Sequence, residues 1–237
     1  DVRVGQHIGI SPGAVPRFLE HFEGTYSKLG KADSILSAAA AHHRLAWIHP
    51  FPDGNGRVMR LMSHAMFLDT LETGALWSVA RGLARKSKEY KDHLANCDLA
   101  RRNSLDGRGS LSEEALVDFT EFFLKVCVDQ VVFMEGLMQP ERLRGRILGW
   151  ASEQIRLGKL SKKSDLILEA LLYRGELDRG NIAGIVGTGD RQARRVVADL
   201  SKFDVIKSDS MRAPIRLNFP AALVAEWMPG LFPESNL

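Results

Sequence analysis

The chain lacks any run near the roughly 18 consecutive apolar residues that a membrane span requires, and Asp1 to Ile10 lacks the basic-then-apolar layout of a secretory signal. Neither membrane insertion nor secretion is supported, and no membrane partner is expected. Cysteine is scarce: Cys97 and Cys127 are the only two, and neither has a CxxC partner. A disulfide scaffold is excluded, and two buried free thiols in a reducing cytoplasm are expected. No internal repeat and no low-complexity tract is present. An excess of one charge is also missing, since 32 basic against 29 acidic residues leave +3, too little to imply nucleic acid by itself. With 45% apolar and 26% charged residues the composition is that of a globular chain, not a disordered or collagenous one. At 237 residues there is room for one large or two modest domains. The first residue is Asp1 rather than Met, which leaves room for residues upstream.

Apolar residues recurring at three and four predict helices over Val15 to Leu29, Ala32 to Trp47, Gly54 to Leu71, Ser78 to Arg101, Ser112 to Leu137 and Pro140 to Leu157. That is an all-α domain of about six helices. Ahead of it, Val2 to Ile10 alternates apolar residues and ends in Ser11-Pro12-Gly13, which predicts a small β-hairpin. The small and basic residues Gly158 to Ser164 predict a linker after a first domain of residues 1–157. Residues 165–219 then read helix (Asp165 to Tyr173), helix (Arg179 to Val186), turn, helix (Asp190 to Phe203) and two β-like runs, a winged helix-turn-helix order, with 220–237 as a tail.

The informative stretch is His49-Pro50-Phe51-Pro52-Asp53-Gly54-Asn55-Gly56-Arg57-Val58-Met59-Arg60, between two helices. Pro50 and Pro52 cannot continue a helix, so His49 opens a loop with its imidazole free to point into a cleft. Gly54 and Gly56 let the backbone turn and gather its N–H groups at the start of the next helix, an anion nest on a positive dipole. Arg57 and Arg60, three apart, extend that nest with two guanidinium forks. A polyphosphate is the ligand this suits. Asp53 beside it would be repelled by phosphate unless a hard cation bridged them, which points to Mg²⁺. Histidine is the side chain suited to proton transfer near neutral pH. The set reads as phosphoryl or nucleotidyl transfer. A calcium loop starting at Asp53 fails because Arg57 and His64 fall where oxygen ligands are needed. A zinc site from His42, His43, His49 and His64 lacks an HxxxH pair on one helix face, leaving His42 and His43 as ordinary core or surface residues.

The stretch resembles the Fic family signature H-x-F-x-[DE]-G-N-G-R-x-x-R and fills every fixed position. Leu76 to Gly82, Tyr90 to Asp98 and Leu105-Asp106-Gly107-Arg108-Gly109 resemble downstream Fic features, so the likeness covers roughly residues 1–137. It implies an all-α Fic-type domain with a hairpin flap that transfers AMP from ATP to a hydroxyl side chain of a target protein, releasing pyrophosphate. By position it makes His49 the general base, Asp53 the Mg²⁺ ligand, Gly54, Asn55 and Gly56 the anion hole, Arg57 and Arg60 the β- and γ-phosphate ligands, and Phe51 a buried anchor. It implies that Val2 to Ile10 is the flap that holds an extended target segment by strand addition, with Val4 and Gly5 beside the nucleotide and Tyr90 and Asp98 near the nucleoside. The Doc branch, which phosphorylates, carries Lys where this chain has Gly56. The family's inhibitory [ST]-x-x-x-E-[GN] pattern is not found, since Leu19 and Val131 stand where a hydroxyl is required before Glu23-Gly24 and Glu135-Gly136. That helix is upstream of Asp1, on another chain, or absent.

Residues 161–219 hold 11 basic and 8 acidic side chains, so the whole excess of +3 sits in this segment. Arg191, Gln192, Arg194 and Arg195 open the third helix of the winged pattern, where a recognition helix would meet DNA. Winged helices also serve as dimer or protein-docking modules, so DNA and a second copy of the chain are both carried as expected partners. Two further readings stay open: a transcriptional regulator whose Fic-like part senses nucleotide, and transfer of another phosphate-linked moiety by the same nest.

Overall fold

The structure, a computed structural model, describes residues 3–4, 7–71 and 76–232. It divides into two compact units, Asp1–Met134 and Glu135–Leu237. The described residues are mostly helical.

The first unit opens on two short antiparallel strands, β1 (Arg3–Val4) and β2 (His7–Ile8), with Val4 opposite His7 and Arg3 opposite Ile8. Val2 and Gly5 of the expected flap lie outside the described residues. Five helices follow: α1 (Val15–Tyr26), α2 (Lys31–Ile48), α3 (Asn55–Thr70), α4 (Val79–Arg85) and α5 (Ser87–Asn96). The long α6 (Glu113–Leu137) belongs to this unit through Met134. Alanines at 38, 39 and 41 of α2 are buried and have no bulk, which lets α3 pack closely against it. Their shared core gathers Leu45, Met59, Phe67, Leu83, Phe119 and Phe123.

The helix expected over Ser78 to Arg101 is two helices. They meet at Lys86, whose φ of −107° and ψ of 37° are not helical. No Gly or Pro marks the bend. One turn earlier, a Cβ on Gly82 would stand 2.4 Å from Val126 Cγ1, so α4 is seated against α6 at a position only glycine fits. Beyond Asn96 the chain forms a folded loop, in which Asp106 accepts from the N–H groups of Glu114 and Arg102 and from the Ser112 hydroxyl. Ser112 Oγ in turn accepts the Ala115 N–H, so one buried carboxylate holds both the loop and the cap of α6. Cys97 and Cys127 are buried and unpaired, and burial pushes both thiols up to about 12.

The second unit begins with the last turn of α6 and α7 (Pro140–Arg156). It continues through α8 (Ser164–Arg174), β3 (Glu176–Leu177), α9 (Ile182–Val186), α10 (Asp190–Lys202), β4 (Ile206–Lys207), β5 (Ile215–Leu217) and α11 (Val224–Trp227). The sheet is antiparallel in the order β3-β5-β4, with Leu177 opposite Ile215 and Ile206 opposite Leu217. Strand β3 was not expected, since two residues carry no readable alternation.

The boundary expected at 158–164 falls inside this unit. Leu143, Ile147, Trp150 and Ala151 of α7 are buried in the same core as α8 to α10. Gly158 at φ 70° and Lys163 at φ 73° make a tight turn that buries Leu160 and Ser164, so its small and basic residues serve a turn, not a free linker. The expected tail is likewise structural as far as it is described. Trp227 is 1% exposed and meets Trp150 edge-on at 5.4 Å.

Replacing Gly82 by Ala forces α4 off α6 and should cost about 1–3 kcal/mol, the usual range for overpacking a core. Chemical denaturation of the variant, read by circular dichroism, measures it. The N–H groups of Glu114 and Arg102 hold Asp106 at about 2, below its ordinary 3.8. A depressed carboxyl stabilises the fold above its unfolded value and loses that contribution as pH falls through the folded one. Urea midpoints should therefore drop between about pH 4 and pH 2 by more in the native chain than in Asp106→Asn.

Candidate active site

α2 ends because Pro50 has no N–H to donate and disfavours helix at the residue before it. His49 takes the left-handed conformation there, φ 52° and ψ 57°, while its own N–H still reaches Leu45 O at 3.2 Å. The chain then closes on itself through Asn55, which is 7% exposed. Asn55 Oδ1 accepts the Phe51 N–H at 3.0 Å and its Nδ2 donates to Phe51 O at 2.6 Å. The Asn55 side chain thus shapes the loop, leaving only its main-chain N–H for an anion. The Phe51 ring is 44% exposed, which corrects the expectation of a buried anchor: it is the main chain of Phe51 that is held, not its ring.

Gly54, at φ 87°, caps α3 and accepts the N–H groups of Arg57 and Val58. The N–H groups of Asn55 and Gly56, at the open end of the helix, have no acceptor within it. Both arginines fold back over this end. Arg57 Nη2 lies 3.2 Å from where a Cβ on Gly54 would sit, and Arg60 Nη1 lies 3.3 Å from where one on Gly56 would sit. The glycines are what let two guanidinium groups settle over the nest. Arg57 also meets Asp53 Oδ2 at 3.1 Å, an exposed pair that contributes little to stability.

His49 lines a cavity of about 290 Å³ together with Ile10, Pro12, Val15, Phe51 and Pro52. The hairpin is tied to this region by His7, whose Nε2 donates to Trp47 O at 2.7 Å. His7 was not singled out from the sequence, and nothing short of the register of β2 against the end of α2 would have pointed to it. Val4 is placed through its main chain, in β1; Gly5 lies outside the described residues.

Tyr90 is not placed to receive a nucleoside. It is 7% exposed, its ring lies in the core, and its hydroxyl is 2.8 Å from His42 Nε2. Asp98 meets His43 Nε2 at 3.0 Å and remains partly exposed. Among the described residues no group of three or more His, Cys, Asp or Glu could hold a metal, so the chain offers Asp53 as a single carboxylate at the nest. In the second unit, Arg191, Gln192, Arg194 and Arg195 all lie on the exposed face of α10, while Ala193, Val196 and Leu200 turn inward. That face borders a cavity of about 620 Å³ lined by Arg179, Ile182, Arg194 and Met211 among others.

Residues 1–67 match the model of the Fic/DOC family. The chain is 39% identical over 72 residues to a protein adenylyltransferase Fic of Aedes aegypti and 40% identical over 72 residues to one of Culex quinquefasciatus. In each case 28% of this chain is covered and it spans 14% of the relative. Among solved structures, a Fic family protein from Desulfovibrio desulfuricans G20 aligns over 92% of this chain and 60% of its own, at 16% identity and a TM-score of 0.45. What the chain is similar to, over the segment that carries the hairpin and the whole signature loop, is the Fic/DOC family.

Proposed function

We propose that the chain is a protein adenylyltransferase, moving AMP from ATP to a Ser, Thr or Tyr hydroxyl of a target protein with release of pyrophosphate. The observation that carries this reading is the pair of guanidinium groups folded over Gly54 and Gly56 at the open end of α3, in the loop that His49 opens. Two cationic forks and two free N–H groups within one helical turn suit a polyphosphate. The N–H groups of Asn55 and Gly56 take α- and β-phosphate oxygens, Arg57 the β-phosphate and Arg60 the γ-phosphate.

His49 removes the proton of the incoming hydroxyl, which approaches from the cavity it lines. The target's extended segment adds to the edge of the hairpin, which His7 keeps against the end of α2. One carboxylate fits a cation that takes its remaining ligands from phosphate and water, as Mg²⁺ does. When bound through Asp53, Mg²⁺ would neutralise phosphate charge and orient the chain of phosphates. Asp98, partly exposed, is retained as a nucleoside contact.

The second unit supports a separate reading. Its order of helices and strands, with the sheet order β3-β5-β4, supports reading it as a winged helix with α10 in the recognition position. We propose that its exposed basic face binds duplex DNA; assembly with a second copy is the rival role.

His49→Ala should lower AMP transfer by about 10² to 10⁴-fold, the span of general-base catalysis, with the calorimetric affinity for ATP largely kept. Equal loss of binding would remove the base assignment. For the second unit, affinity for random duplex should fall as salt rises, with a log–log slope of about −0.9 per phosphate neutralised. Replacing Arg191, Arg194 and Arg195 by Ala should flatten that slope. Absence of salt-dependent binding by the full chain, with a dimer lost in the triple variant, would establish assembly instead.

A further inference from the structure

The carbonyl end of α2 is short of donors. Pro50 and Pro52 stand four residues after Ala46 and Ile48 and have no N–H to return to them. Trp47 O fares no better: the residue three after it is Pro50, and the residue four after it is Phe51, whose N–H goes to Asn55 Oδ1 at 3.0 Å. The residues that build the signature loop therefore leave Trp47 O without a main-chain donor from its own helix. His7 Nε2 reaches it from β2 at 2.7 Å. A carbonyl only accepts, so Nε2 carries the proton of this bond.

The hairpin has need of such an anchor. Strands β1 and β2 have two residues each, and a lone two-stranded ribbon is marginally stable in water. His7 stands opposite Val4, so a bond made by its side chain fixes one register pair of the ribbon. The same imidazole meets the Trp47 indole with ring centres 5.7 Å apart, and Phe18 of α1 meets that indole at 5.7 Å as well. Trp47 precedes His49 by two residues. The hairpin is thus fastened to the same stretch of main chain that carries the His49 imidazole.

Resting on the adenylyltransferase reading above, we infer that His7 is a positioning residue for the target: by donating to Trp47 O it sets the register of the hairpin edge relative to His49. A target segment added to that edge inherits the register, and a slip of one residue turns its side chains to the opposite face. In this role His7 touches neither the nucleotide nor the reacting hydroxyl. Transfer to an extended segment depends on it, whereas attack by water does not. In both reactions the bond from the α-phosphorus to pyrophosphate breaks as the incoming oxygen bonds phosphorus and yields its proton to His49.

The test uses the full chain, α-labelled ATP with Mg²⁺ and, as acceptor, a pool of short random-sequence peptides with a central Ser, Thr or Tyr. His7→Phe keeps an aromatic ring beside Trp47 and removes the donor, while His7→Gln restores an N–H at the same number of bonds from Cα. In His7→Phe, kcat/KM for transfer to the peptides should fall by about three- to tenfold, the range for losing one hydrogen bond, with AMP release into water and calorimetric ATP affinity kept within about twofold. His7→Gln should recover most of the loss. Peptide transfer no faster in the native chain than in His7→Phe overturns the proposal, and so does an equal fall in peptide transfer and AMP release, as general loosening of the site would give. A second measurement needs no activity: amide hydrogen exchange at Val4 and Ile8 should quicken in His7→Phe and return toward the native rate in His7→Gln. Unchanged exchange overturns the anchor itself. If the native chain passes AMP to neither peptide nor water, the adenylyltransferase reading fails and the target role with it, and quickened exchange then leaves His7 as the tie of the hairpin alone.

Discussion

Everything at the candidate site depends on the side chain of Asn55 closing back on the main chain of Phe51. A helix that stops at His49 must restart at Asn55 with its N–H groups facing outward, and the intervening residues include two prolines that donate nothing. Without a clamp that loop would sample many shapes and the nest would exist only part of the time. The buried amide of Asn55 takes one donor and one acceptor of Phe51 at once, which fixes the loop from inside. The main-chain groups it leaves uncommitted are those at the helix start, where an anion is favoured by the dipole.

Two guanidinium groups fold over the start of α3, and one of them meets a carboxylate. Arg57 and Asp53 are exposed and meet each other, so both can change partners at little cost. Arg60 folds over Gly56, its Nη1 3.3 Å from where a Cβ there would sit. On the proposed reading, the exposed Arg57–Asp53 pair is the part of the site that can exchange partners when nucleotide and cation arrive.

The signature loop was legible in the sequence because its physics is local: prolines end one helix and glycines open the next within twelve residues. The helices of the first unit were legible for the same reason, apart from the bend at Lys86, which no Gly or Pro marks. The second unit's limits were misread where composition suggested a linker. Gly158 and Lys163 look like spacer residues, yet they serve a turn between helices whose apolar faces share one core. Tyr90 and His42 show the same limit at the site. Each is an unremarkable residue on its own helix, and their hydrogen bond to each other and, through His42, to Ser63 arises only from packing across the core.

His49 sits in a backbone conformation that an L-residue other than asparagine, aspartate or histidine seldom adopts. Glycine would occupy it without steric cost, and the fold itself has no use for an imidazole there. Position 49 is therefore a place where conformational ease and chemistry pull in opposite directions. Selection for thermal robustness alone would drift toward glycine at this position, so if His49 is the proton acceptor proposed above, its imidazole is kept at a conformational cost.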